Sequence, residues 1–131
     1  MMMDELEKIL SSLGREIRRE KQGFSFDLSK GVKAEKKGDD VLLSSFVGIL
    51  SEIPECNYPN VIIGFLDANH HIQPASVGIA VGENDISIFA TVLMDRELNE
   101  GSVKRSLEAL DLAIRAASSI MENASAEAMV K

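Results

Sequence analysis

Apolar residues in the first stretch of the chain recur at helical spacing. Leu6, Ile9, Leu10, Leu13 and Ile17 fall three to four residues apart, which predicts an amphipathic helix from about Asp4 to Leu13. The same stripe allows it to run on to Arg19, with Gly14 weakening its interior. After Gln22-Gly23 the period changes to two. Phe24-Ser25-Phe26-Asp27-Leu28 alternates apolar with polar, as a half-buried strand does. Ser29-Lys30-Gly31 turns, and Val32 to Lys36 alternates again with few apolar residues. Lys37-Gly38-Asp39-Asp40 is a second turn built from turn-forming residue types. Val41 to Leu50 reads as a third, more buried strand, so three strands form an antiparallel meander.

Pro54 interrupts the connector from Ser51 to Asn57. Val61, Ile62, Phe65 and Leu66 then mark a short helix, apolar on more than one face and ending at Asn69, with Asn57 or Asn60 as its cap. Ser76 to Val81 and Ile86 to Leu93 are two strands joined by the hairpin turn Gly82-Glu83-Asn84-Asp85. In the second strand Ile86, Ile88, Ala90 and Val92 share one face, while Phe89 and Leu93 point the other way. Gly78 and Ala80 leave a shallow side on the first, where another backbone can approach closely. Asn99 or Ser102 caps a final helix. Its stripe Val103, Leu107, Leu110, Ile114, Ala117 and Met121 is the strongest periodic signal in the chain.

The predicted order is helix, three strands, helix, two strands, helix. Strands and helices do not alternate, so the fold class is α+β with a mostly antiparallel sheet, helices covering one face. The other face is left for a partner. The 131 residues suit a single domain, residues 1–131, with residues 1–3 and 125–131 expected to fray.

Charge narrows the function. A formal net charge of -7 repels phosphate backbones and anionic membrane surfaces, which argues against nucleic-acid binding and membrane docking. The acidic start and short apolar runs predict neither a signal peptide nor membrane insertion. Cys56 is the single cysteine and suits a reducing cytoplasm.

Candidate chemistry is sparse. His70 and His71 are adjacent, and adjacent residues of a strand point opposite ways; the spaced Cys and His of a zinc site are missing. The acidic turns at Asp39-Asp40 and at Glu83-Asn84-Asp85 lack the ligand ladder of a calcium loop. Glycine-rich phosphate loops and nucleophile elbows are also missing. The expectation is a non-enzymatic protein without metal or cofactor that binds other proteins. The Phe24-Ser25-Phe26 strand carries two compatible readings: one face in the core, or apolar surface and an open edge for an incoming peptide.

The element order, together with Phe65-Leu66-Asp67-Ala68-Asn69, Val77-Gly78-Ile79-Ala80-Val81, Ile86-Ser87-Ile88-Phe89-Ala90 and Leu98 before the last helix, resembles the Tir-chaperone class (class I) of type III secretion chaperones. The resemblance implies a homodimer in the cytoplasm of a Gram-negative bacterium. It implies a protein that holds the extended N-terminal segment of a secreted effector, keeps it soluble and presents it to a secretion ATPase, with a role in virulence. The implied effector-binding residues are Leu10, Leu13, Phe24, Phe26, Leu28, Val32 and Phe46. Those implied at the dimer interface are Val61, Ile62, Phe65, Leu66 and Ile88. The lysine-rich strand Val32 to Lys36 departs from the pattern and reads as an exposed edge guarded against aggregation. The alternative is a related α+β adaptor or regulator that binds a non-secreted protein.

Overall fold

Helix α1, Met2–Ser12, stops where Gly14 adopts φ +83°. Arg15 N–H donates to the Leu10 carbonyl at 3.0 Å and Gly14 N–H to that of Ser11 at 3.1 Å. This pair of bonds, closed by a left-handed glycine, satisfies the last carbonyls of the helix and turns the chain away. The helix therefore does not continue to Arg19. Residues Arg18–Glu20 instead form strand β1, so four strands, not three, precede the next helix. The computed structural model describes the backbone of residues 2–94 and 97–130, and the side chains of residues 3–94 and 97–125.

Strand β1 pairs antiparallel with β2, Gly23–Asp27. Gly23 has φ +123°, and a Cβ built there would collide with the Ala34 carbonyl oxygen, so only glycine fits this bend. Strand β3, Gly31–Lys37, and strand β4, Asp40–Ile49, are joined by a two-residue turn in which Gly38 takes φ +63°. Short 3-10 turns at Leu50–Glu52 and Glu55–Asn57 lead into helix α2, Tyr58–Asn69. Strands β5, Ser76–Val81, and β6, Ile86–Leu93, follow, and then helix α3, Glu100–Val130. Both segments expected to fray thus overlap helices, α1 from Met2 and α3 through to Val130.

The sheet has six strands in the order β1-β2-β3-β4-β6-β5, every neighbouring pair antiparallel. Its edges are β1 and β5. Strand β3 is interior, paired on both sides, with Val32 and Ala34 buried. The edge reading of Val32 to Lys36 is therefore corrected. Lys33 and Lys37 of β3 project from the open face, where both reach Glu35.

All three helices pack on one face of the sheet. Phe24 and Phe26 of β2, Val32 and Ala34 of β3, Val41 and Leu43 of β4, and Ile88, Ala90 and Val92 of β6 form the floor of the core. Leu6 and Leu10 of α1, Val61 and Phe65 of α2, and Val103, Leu110, Ile114 and Ala117 of α3 close it from above. The α3 stripe and the parity of β6 are as the spacing predicts. The start of α3 uses both expected caps: Ser102 N–H donates to Asn99 Oδ1 at 2.9 Å, and Asn99 N–H to Ser102 Oγ at 3.1 Å. Asn57 makes no side-chain cap for α2. It is buried, and its Nδ2 donates to the Ala124 carbonyl at 3.0 Å, tying the start of α2 to the far end of α3.

Candidate functional site

The helices cover one face of the sheet and leave the other bare. Cross-strand partners share a face, so the pairing places Leu42 beside Leu93, Ser44 beside Thr91, and Phe46 beside Phe89 on the uncovered side. Gly78 lies next to Phe89 in the same register, and Ser76 next to Thr91. Phe46 and Phe89 stack edge to face, with centroids 5.7 Å apart. Phe46 is 50% exposed and Leu93 53%. A bulge between Phe46 and Gly48 then shifts the register, which turns Gly48 toward the core and Met121.

The two halves of this open face differ. On β1 to β3 it is charged: Arg18 and Asp27 form a paired salt bridge at 2.9 Å, and Lys33 lies within 4 Å of both Glu20 and Glu35. The Arg18 hydrogen bonds hold the Asp27 carboxyl below its ordinary value, and Asp27 in turn raises Arg18. From Leu42 onward on β4, and on β6 and β5, the facing positions are apolar or small and uncharged.

A second surface is a groove of about 520 Å³ between the end of α1, the β2–β3 turn and α3. Leu13, Leu28 and Leu107 supply its apolar lining. Asp111 holds the groove in shape by accepting from Ser29 N–H at 3.0 Å and by an ion pair with Arg115 Nε at 3.0 Å. Arg15 Nη1 donates to the Asp27 carbonyl at 3.0 Å, which fixes the guanidinium at the rim.

The third surface is the outer side of α2. Ile63 is 63% exposed and Leu66 61%, with Ile62 beside them. This helix borders β5, whose Ile79 and Val81 are also exposed. Asn69, the last residue of α2, closes part of the β5 edge. Its Oδ1 accepts from Val77 N–H at 2.8 Å, and its Nδ2 donates to the Val77 carbonyl at 3.2 Å. The carboxamide thus stands in for one residue of a neighbouring strand.

The residues expected to bind an effector are divided by this geometry. Leu10, Phe24, Phe26 and Val32 are core residues, none more than 2% exposed; alternation marks them because their face meets the helices. Leu13 and Leu28 meet in the groove, and Phe46 lies on the open sheet face. Of the residues expected at a dimer interface, Ile62 and Leu66 are on the outer side of α2, whereas Val61, Phe65 and Ile88 are buried within the chain. The exposed Ile63 and the groove residue Arg115 have no place in the sequence reading, which has Leu107 only as part of the α3 stripe. Ile63 breaks the helical stripe, and the groove joins segments 82 residues apart in sequence through the bond between Ser29 and Asp111.

No family model matches the chain, and no curated protein matches it. Solved structures do. YbjN from E. coli, a suggested transcription regulator, is similar with a TM-score of 0.70 and 12% identity, over 91% of this chain and 93% of that one. A chain of the heterodimeric ExoU–SpcU complex, from the type III secretion system of Pseudomonas aeruginosa, is similar with a TM-score of 0.54 and 14% identity. That match covers 86% of this chain and 94% of the other. At these identities the likeness is one of fold. The α+β architecture with an open antiparallel sheet is secretion-chaperone-like. Among the described residues no helix is long and apolar enough to cross a membrane.

Proposed function

We propose that this protein is a type III secretion chaperone of the Tir-chaperone class, a non-enzymatic cytoplasmic protein of a Gram-negative bacterium. It binds the extended N-terminal segment of a secreted effector, keeps it soluble and hands it to the secretion ATPase. The observation that carries this reading is the pair of apolar surfaces that none of the described residues covers, the groove at Leu13 and Leu28 and the sheet face at Phe46 and Phe89. They occur on a fold shared with a chain of the ExoU–SpcU complex. An extended segment suits them, because it presents alternate side chains to separate apolar patches. The outer side of α2 carries a single charged residue, Asp67. That makes it a surface on which a second copy of a strongly acidic chain meets little repulsion, and the homodimer is assigned there.

The likeness to YbjN favours a second reading, an adaptor that binds a non-secreted protein through the same surfaces. A pull-down of the tagged chain from its native host, followed by mass spectrometry and reconstitution of the complex, separates the two. A stoichiometric secreted protein, released by deletion of its N-terminal segment, is the expected result. A regulatory protein alone shifts the assignment to the adaptor, and a chain with no partner removes both.

A further inference from the structure

The groove at Leu13 does not end at Arg115. A second depression of about 270 Å³ shares Ser29 and Arg115 with it and continues along α3 past Ser118 to Glu122. From Lys104 to Glu122 the helix advances about 27 Å, the length of an extended segment of about eight residues. The wall opposite α3 is the β2–β3 turn, held to the helix by the Ser29 to Asp111 bond.

The charge of this track runs against that of the chain. Carboxylates outnumber cations 21 to 14 in the sequence. Along the track four cations, Arg15, Lys30, Lys104 and Arg115, face three carboxylates, Glu108, Asp111 and Glu122. Asp111 is already bound by Arg115. Arg15 is held by a neutral carbonyl, which fixes its position, and it makes no ion pair among the described residues. Lys104 makes no ion pair among the described residues. The hydroxyl of Ser118, beside the second depression, has no hydrogen-bond partner among the described residues.

We propose that this track takes an extended acidic partner segment, in which apolar residues facing Leu13, Leu28 and Leu107 alternate with carboxylates facing Arg15 and Lys104. The inference rests on the binding reading above and adds to it the chemistry of the bound segment. Attraction between a cationic track and an acidic segment also offsets the repulsion that the rest of the surface imposes on such a partner.

The test is an NMR titration of the full-length, methyl-labelled chain with an octapeptide of alternating leucine and glutamate, and with its counterpart carrying lysine for glutamate. Shifts of the Leu13, Leu28 and Leu107 methyl signals are expected. The acidic peptide should bind about fivefold tighter or more, a preference that Lys104→Glu removes. Lys104 is exposed and unpaired, so that variant keeps the fold. Equal affinity for the two peptides, shifts confined to other methyl groups, or no shifts at all would overturn the proposal. Shifts of the same methyl groups that depend on protein concentration without peptide would make a second copy the occupant, and overturn it as well. A secreted client captured undiminished by Lys104→Glu leaves the chaperone reading standing without this track. Selective peptide binding with no client in the host leaves the track and removes the chaperone reading.

Discussion

Asn69→Ala removes the one side chain that pairs with both backbone groups of Val77. The two bonds, at 2.8 and 3.2 Å, contribute about 1 kcal/mol each. Val77 is only 6% exposed, so its N–H and C=O groups would also lose most of their solvation, and the expected destabilisation is about 2–3 kcal/mol. For a chain of this size that corresponds to a melting temperature lower by roughly 8–12 °C. Urea unfolding of both proteins at the same concentration compares them under equal mass action. Asn69→Asp keeps the acceptor for Val77 N–H and loses the donor, so its midpoint should fall between those of Asn69→Ala and the native chain. Hydrogen exchange should localise the effect, with the Val77 amide losing protection first. A loss below about 0.5 kcal/mol for Asn69→Ala, with the Val77 amide still protected, would refute the view that this carboxamide acts as a strand substitute.

Gly23→Ala should cost at least about 2 kcal/mol in the same urea assay, because φ is +123° and the new Cβ would meet the Ala34 carbonyl; a neutral outcome would contradict the described bend. Leu66→Asp should leave the chain folded by circular dichroism and monomeric by light scattering, whereas Phe65→Asp, in the core, should unfold it; a folded Leu66→Asp dimer would move the interface away from α2. Asp27→Asn probes the pair with Arg18. The folded carboxyl is depressed by Arg18, so its contribution is present above the ordinary carboxylate range and is lost as pH falls through the folded value. The variant should therefore be slightly less stable at pH 7 and match the native chain in strong acid. A gap that widens on acidification would contradict that assignment.

Much of the architecture was legible because it depends on period. The α3 stripe, the two-residue alternation of β2 and β6, and the glycine-bearing turns are local patterns, and burial of one face enforces them. β1 escaped notice for a physical reason. Arg18, Arg19 and Glu20 are exposed on both faces, so their strand has no hydrophobic signature. Its place is set by the Gly14 helix stop, the Gly23 bend, and the ion pairs of Arg18 with Asp27 and Arg19 with Glu7. The edge assignment for β3 failed because lysines on an open sheet face look the same in sequence as lysines on a free edge.

The candidate site divides along the same line. By itself the sequence determined which residues are apolar, how often they recur, and hence the elements, the α+β class and an acidic surface. Alternation tells which side chains share a face; it cannot tell whether that face meets a helix or solvent, because both are decided by elements distant in the chain. Only the tertiary structure placed Phe24 and Phe26 in the core and Phe46 and Phe89 on the open side. It alone turned Ile63 and Leu66 outward, and it alone brought Leu28 of the β2–β3 turn beside Leu107 of α3. Local periodicity builds the elements, whereas an exposed apolar surface is whatever their packing leaves uncovered.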